Sequence, residues 1–463
     1  VQDLYKLTRE SGFGQLLAAA AATALMAAPI VMRAEIGVTF ILVTVLAVCM
    51  IFGVPIAAAL GLAGAGAIYS TGYLSLNVAA QQSFTSLDSF PMLAIFFFIA
   101  AGVFMGRGGL SADLFNLADK LMGGRTGGLA LTTIVACTLF GAISGSAPAT
   151  VSAVGSMTIP FLVNMGYDVV FSAAIVTVAG ALGVIIPPSI SYIVYSAAAN
   201  ASPSALFIAG IIPGCLIGFF LMAYCWYYCK KNGEDKEKLQ ENYNKIREKG
   251  FLKLFKESFF ALMTPVIILG CIYTGIASPT EAAVISVFYS LVVSLFIYKS
   301  MKFKDIWGIM VEGVRTYAPI LFILAASIAF SRVLTLMRVP QSISAWILGN
   351  FHNKIVILPV INMFLLIVGM VMDTTPAILI LTPILLPIVT AIGMNPIHFG
   401  VMMVVNLAIG FVTPPIGVNL FVASSLTDVP VMQIAKKALP MIAFFLAALL
   451  LITFIPAISI GIL

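Results

Sequence analysis

Two stretches decide how this chain folds: Gly183-Val184-Ile185-Ile186-Pro187-Pro188-Ser189 and Gly410-Phe411-Val412-Thr413-Pro414-Pro415. Each interrupts a long apolar run, 168–199 in the first case and 397–425 in the second. Proline has no N–H and clashes with the preceding turn, so a double proline inside an apolar helix releases several backbone carbonyls. In hydrocarbon each unpaired carbonyl costs several kcal/mol, so something must satisfy them. The stretches also stand in register. A shift of 227 residues maps Gly183 to Gly410 and Pro187-Pro188 to Pro414-Pro415, and it also maps Pro160 to Pro387, Gly166 to Gly393 and Pro203 to Pro430. Six Gly/Pro landmarks in one ungapped register mark an internal duplication.

The composition sets the solvent. Of 463 residues, 61% are hydrophobic and 9% are charged, with mean hydropathy +1.11. A soluble chain carries roughly 25% charged residues, and apolar runs long enough to cross a bilayer recur throughout. The reading is a polytopic α-helical membrane protein. The net charge of +6 follows topology rather than a nucleic-acid partner, because Lys and Arg concentrate on cytoplasmic loops.

The longest polar stretch, Lys230 to Glu257, holds nine Lys/Arg against six acids. It is expected to be a solvated cytoplasmic connector. From it the rest threads: spans near 258–276 and 280–298 joined by Ser278-Pro279-Thr280-Glu281, a capping box with Pro at N1; a pair 36–53 and 55–69; and a span 91–105. Arg33, Arg332, Arg338 and Lys354 fall on the outer side against the bias. The threading gives the two copies opposite orientations, so the expected domains are a first inverted repeat over 36–229, the connector 230–257 and a second repeat over 258–463. Residues 1–35 form an extra N-terminal helix. The first residue is Val, which points to a chain cut from a longer polypeptide. Leu16 to Met32 lacks the cleavage pattern of a signal peptide.

Each repeat carries a second unusual piece, a polar patch within an apolar run. One is Ser144-Gly145-Ser146-Ala147-Pro148-Ala149-Thr150 and the other Asp373-Thr374-Thr375-Pro376. The flanking arms look too short for a comfortable crossing, so a re-entrant helical hairpin with a polar tip near mid-membrane fits better than two spans. Pairing each tip with the broken span of its own repeat gives two oxygen-rich sites suited to a dehydrated cation. The candidate sodium ligands are Ser144, Gly145, Ser146, Gly183, Ile186 and Pro187 in one, and Asp373, Thr374, Thr375, Gly410, Thr413 and Pro414 in the other. Half-helices beginning after each break present positive ends that suit an anion. Ser146, Thr150, Ser189, Thr375 and Asn419 are the candidate substrate contacts. The competing reading of each Ser or Thr is a bond back to its own helix, of Pro-Pro a plain kink, and of Asp373 a cap close to water. The recurrence of break and tip together favours function, and intramembrane carboxylates are functional by default.

At these residues the chain resembles the large membrane subunit of tripartite ATP-independent periplasmic (TRAP) transporters. The matching pieces are 141–156 (GAISGSAPATVSAVGS), 183–189 (GVIIPPS), 277–283 (ASPTEAA), 369–378 (GMVMDTTPAI) and 410–421 (GFVTPPIGVNLF). The resemblance implies a sodium-driven elevator-type carrier in the bacterial inner membrane, a small membrane subunit (Q) and a periplasmic substrate-binding protein (P). Sialic acids and C4-dicarboxylates are among the family's substrates. Likeness to systems in which Q and the large subunit are fused favours sialic acid, with a C4-dicarboxylate or another carboxylate as the alternative, and reads residues 1–35 as the tail of such a fusion. An intramembrane hydrolase using Ser144 or Ser146 needs a base within hydrogen-bond reach, and neither His352 nor His398 lies in a segment expected to meet the tip. A primary pump lacks the Gly-x4-Gly-Lys-Ser/Thr phosphate loop. A channel is separated from a carrier by whether flux saturates and needs an ion gradient. The six cysteines have no metal spacing and read as core thiols.

Overall fold

A computed structural model describes residues 38–71, 75–88, 90–107, 110–248, 251–350 and 353–463. The proposed N-terminal helix 1–35, Arg33 and His352 lie outside the described residues. The described residues are helical in every element. In order these are α1 (Val38–Ile51), α2 (Ile56–Thr71), α3 (Leu76–Leu87), α4 (Phe90–Arg107), α5 (Leu110–Met122), α6 (Gly128–Ser144), α7 (Ala147–Asn164) and α8 (Val169–Gly180). A 3-10 turn, Ala181–Val184, leads to α9 (Ile190–Ala199), α10 (Pro203–Asn232), α11 (Lys236–Glu248), α12 (Phe251–Tyr273) and α13 (Pro279–Val292), which ends in a π turn, Val293–Ile297. Then come α14 (Phe303–Leu336), α15 (Val339–Asn350), α16 (Lys354–Val371), α17 (Thr374–Ala391), α18 (Pro396–Gly410), α19 (Val418–Thr427), α20 (Val431–Phe454) and α21 (Ala457–Ile460). Seven of these are long and apolar enough to cross a membrane by length and composition.

The sequence landmarks act where they were placed. Ser278 caps α13 and Glu281 reaches back to the Ser278 N–H, closing the capping box. The charged connector forms the end of α10, then α11 and the start of α12. On α11, Tyr243 lies against Gly124, where an added Cβ would meet the ring at 2.9 Å.

Two compact units form, and neither follows the repeat boundary. One comprises α1–α3 with residues 319–350 and 379–387; the other comprises residues 90–318, 351–378 and 388–463. In the first unit the small residues of α2 leave an apolar cavity of about 620 Å³ against Phe322, Ala329 and Val333 of α14. In the second, α4 packs on α13 around Ala100, Phe104 and Val287, and α8 and α18 are buried nearly throughout. Both tips and both breaks belong to this second unit.

The duplication is visible in the elements themselves. α7 and α17 start and end 227 residues apart, at 147–164 and 374–391. After the double prolines the offset becomes 228, as in α9 and α19, 190–199 and 418–427. One extra residue sits between Pro415 and α19, so Pro203 is the first residue of its helix while Pro430 caps the next one from outside. The arms flanking the tips correct one expectation. They run to 17 residues in α6 and 18 in α7, α16 and α17, about 26–27 Å at 1.5 Å per residue. Both arms of the second tip are long and apolar enough to cross. Length therefore does not argue for re-entrance; the polar interruption between the arms does.

Candidate functional site

The first tip is a two-residue gap between α6 and α7. Gly145 ends α6 in the left-handed region at φ +61°, where a side chain is strained. An added Cβ would also lie 2.9 Å from the Pro188 carbonyl oxygen. The Gly145 carbonyl accepts from the Ile190 N–H at 3.3 Å, which ties the tip to the start of α9. Deeper in, Gly141 and Gly183 meet backbone to backbone: a Cβ on Gly141 would lie 2.9 Å from the Gly183 Cα. The broken span is thus pressed on the tip of its own repeat.

Hydroxyls fill this junction. Ser144 Oγ and Thr150 Oγ1 are 2.9 Å apart. The Ser146 carbonyl accepts from Thr150 Oγ1 at 2.8 Å and from the Thr150 N–H at 3.1 Å. Ser189 Oγ donates to the Val184 carbonyl at 2.5 Å. Residues 181–196 are buried, yet among the described residues no hydrogen bond reaches the carbonyls of Ile185, Ile186 or Pro187. Among these proton donors, Thr150 and Ser189 spend their hydroxyl protons inside the junction, leaving their lone pairs as what they offer outward.

The second repeat builds the same junction with different side chains. Asp373 caps α17 with its side chain, at the N-cap position that Ser146 holds before α7 227 residues earlier without a side-chain cap bond. Its carboxylate accepts from the Thr374 N–H at 2.5 Å and from Thr374 Oγ1 at 3.2 Å. Asp373 is exposed in the isolated chain, whereas Thr374 and Thr375 behind it are buried. Gly410 meets Gly369, and a Cβ on Gly410 would lie 2.3 Å from the Gly369 carbonyl carbon and oxygen. The Ile416 N–H donates to the Met370 carbonyl at 3.2 Å, and Thr413 Oγ1 donates to its own helix at Ile409 O, 2.7 Å. No hydrogen bond among the described residues reaches the carbonyls of Val412, Thr413 or Pro414. These three are the 227-shifted partners of Ile185, Ile186 and Pro187. Both double prolines are cis. The first break is fully buried while Pro415 and Ile416 of the second are exposed.

The structure therefore gathers Ser144, Gly145, Ser146, Thr150, Gly183, Ile186, Pro187 and Ser189 into one junction, and Asp373, Thr374, Thr375, Gly410, Thr413 and Pro414 into another. Asn419 is tied to the second break rather than to a tip, its N–H donating to the Phe411 carbonyl at 3.1 Å. It is fully buried on α19 and donates to the Thr177 carbonyl of α8 at 3.1 Å, fastening one repeat to the other.

Sequence reasoning missed several groups. Ser191, buried on the first turn of α9, places its Oγ 3.3 Å from Thr374 Oγ1, so the start of α9 touches the start of α17. Gly141 and Gly369 carried a readable signal, each a glycine one turn before its tip. A buried ladder runs through the second repeat. Asn406 Nδ2 donates to Asn362 Oδ1 at 2.7 Å and Asn362 Nδ2 donates to Thr453 Oγ1 at 3.0 Å. Glu234, in the connector, accepts from the Gly127 N–H at 2.8 Å and from the Tyr167 hydroxyl. It thereby caps α6 from 107 residues away, and burial together with this bond pushes the Tyr167 hydroxyl well above its usual range.

All donors at both junctions are oxygens, neutral apart from one carboxylate, and among the described residues no His/Cys/Asp/Glu cluster suits a transition metal. Neutral carbonyl and hydroxyl oxygens beside a broken membrane helix suit a hard monovalent cation. Fold and junctions together define a multi-pass membrane protein of transporter architecture.

Residues 43–458 match the family described as the tripartite ATP-independent periplasmic transporter, DctM component, and the chain belongs to that family. It is 47% identical over 458 residues to the isethionate TRAP transporter permease protein DctMQ of Oleidesulfovibrio alaskensis, covering 99% of this chain and 71% of that protein. It is 40% identical to the C4-dicarboxylate TRAP transporter large permease protein DctM of Pseudomonas aeruginosa, over 87% of this chain and 93% of that one. The 2,3-diketo-L-gulonate TRAP transporter large permease protein YiaN of Escherichia coli is 34% identical over 87% and 94%. The fold is shared with the Alcanivorax borkumensis YdaH transporter, at TM-score 0.58 and 13% identity over 84% of this chain and 89% of that one. Neisseria gonorrhoeae MtrF aligns at TM-score 0.56 and 15% identity over 82% and 83%.

Proposed function

We propose that this chain is the membrane carrier of a sodium-coupled uptake system for a small organic anion, working in the bacterial inner membrane with a small Q subunit and a periplasmic substrate-binding protein. The observation that carries the reading is the pair of unbonded carbonyl triplets, 185–187 and 412–414, each beside a tip of hydroxyl or carboxylate oxygens. Sodium at each junction would satisfy oxygens that hydrocarbon cannot. By tying tip to break, it would also set the starts of α9 and α17, at Ser189 and Asp373, around an anion. Both junctions lie in one compact unit, which fits a loaded body that crosses as a whole in an elevator cycle.

The relatives move the favoured substrate away from sialic acid. The fused relative at 47% identity is named for isethionate, and others are named for C4-dicarboxylates and 2,3-diketo-L-gulonate. A small sulfonate or C4 acid is the first choice. The test is uptake by proteoliposomes holding this chain with its Q partner and binding protein, using labelled isethionate, succinate and sialic acid, with and without a sodium gradient. Saturable uptake that collapses without sodium supports the proposal. Sodium-independent or ohmic flux overturns it.

A further inference from the structure

Asn406 is fully buried on α18, one turn before Gly410, and Asn362 is buried on α16, two turns before Gly369. Both amide hydrogens of Asn406 go to one residue: Nδ2 donates to Asn362 Oδ1 at 2.7 Å and to the Asn362 carbonyl at 3.0 Å. Asn362 Nδ2 donates in turn to Thr453 Oγ1 of α20 at 3.0 Å, and that hydroxyl donates to the Leu449 carbonyl at 2.8 Å. Each group donates forward to the next, so turning either amide over would set donor against donor or acceptor against acceptor. The ladder leaves one orphan, Asn406 Oδ1, which is buried with no partner among the described residues. A buried network with an unpaired acceptor is less stable than apolar packing of the same shape, so stability alone does not account for it.

The first repeat does without it. The shift of 227 puts Val135 of α6 and Ala179 of α8 at the places of Asn362 and Asn406. There the break is buried from 181 to 196, whereas Pro415 and Ile416 of the second break are exposed. The second junction therefore has less surrounding protein to hold it. Its glycine contact sets how closely α16 and α18 approach, but dispersion is weak atom by atom and lets the helices slide. Hydrogen bonds are directional. A slide of half a turn, about 2.7 Å, takes Asn406 Nδ2 out of bonding range.

We infer that Asn406 and Asn362 are positioning residues of the second junction. They hold α18 in register on α16, so that the carbonyls of 412–414 meet the tip at 373–375. They act through the junction and do not touch the ion. The inference rests on the sodium reading of that junction, and it makes the two sites unequal: the first is set by burial, the second by a polar ladder.

The experiment is a sodium titration of thermal unfolding, with the full chain and its Q partner in nanodiscs and choline replacing sodium at constant ionic strength. Sodium bound to the folded state raises the unfolding temperature. The deciding variant combines Asn362→Val with Asn406→Ala, the residues of the first repeat, and so removes both partners and the orphan together. Its unfolding temperature in choline should stay within about 3 °C of wild type, because replacing both partners by apolar groups is nearly neutral. Its half-saturating sodium concentration should rise at least about fivefold. Asn406→Ala alone should also lose stability in choline, since Asn362 Oδ1 is left without its donor. Asn362→Ala keeps the backbone bond from Asn406 and carries the test if the double variant fails to fold; its sodium requirement should rise about twofold or more. Wild-type sodium affinity in the variant that is read overturns the positioning role and leaves the cation sites standing. A sodium requirement that rises only in step with stability lost in choline overturns it as well. If sodium does not stabilise the wild-type complex, the sodium reading falls and this inference falls with it.

Discussion

Gly410→Ala and Gly369→Ala make a demanding pair, because the two glycines touch yet answer differently to one added methyl. A Cβ on Gly410 would lie 2.3 Å from the Gly369 carbonyl carbon and oxygen and 2.6 Å from its Cα. Carbon atoms rest about 3.5–4.0 Å apart, so α16 and α18 would have to part by more than an ångström at the second junction. On Gly369 the same atom meets Leu407 Cα at 3.3 Å and Gly410 Cα at 3.4 Å, close to ordinary contact. Overpacking a tight interior costs about 1–3 kcal/mol, and if that strain falls on sodium binding it weakens it roughly 5- to 150-fold. Sodium titration of uptake in proteoliposomes is the assay. Gly410→Ala should raise the half-saturating sodium concentration at least fivefold or abolish transport, and Gly369→Ala should move it less than threefold. Gly270, with nothing within 4 Å of an added Cβ, is the control for expression. Equal effects in the pair, or wild-type behaviour of Gly410→Ala, would refute the claim that this contact sets the junction.

Thr150→Val removes the hydroxyl that bridges Ser144 and the Ser146 carbonyl. It should cost about 1 kcal/mol and raise the sodium requirement several-fold, whereas Thr158→Val, bonded to its own helix at Val154, should leave uptake unchanged. Asp373→Asn keeps a good helix cap but discards the charge, so a lost or steeply weakened sodium dependence in a normally folded protein is expected. Unchanged uptake at low sodium would remove Asp373 from the cation site. Glu234→Gln weakens the cap on Gly127 and the bond from Tyr167. Thermal unfolding in detergent should drop for it, less for Tyr167→Phe, and the double variant should fall short of the sum because the two share one interaction.

Much of the site was legible because its cause is local. Proline denies a hydrogen bond wherever it sits, so Pro187-Pro188 and Pro414-Pro415 announced their breaks without reference to any neighbour. The polar tips stood out against apolar surroundings for the same reason, and the duplication let each support the other. Gly141 and Gly369 were passed over because a glycine within a helix reads as tolerated until its neighbour is known. Ser191 was passed over because its partner, Thr374, is 183 residues away. Arm length misled, since a polar interruption rather than shortness is what marks those helices.

The sequence by itself determined the solvent, the helical class, the repeat, the connector and the two places where helices fail, all of which follow from backbone chemistry and residue order. Tertiary structure alone decided that each break lies on the tip of its own repeat, that Asn419 joins one repeat to the other rather than joining a tip, and that the compact units cut across the duplication. It also slipped the offset from 227 to 228 after the prolines. Such features depend on which distant surfaces meet at van der Waals distance, and a missing Cβ at Gly141 or Gly410 acts only when another backbone arrives to use the space.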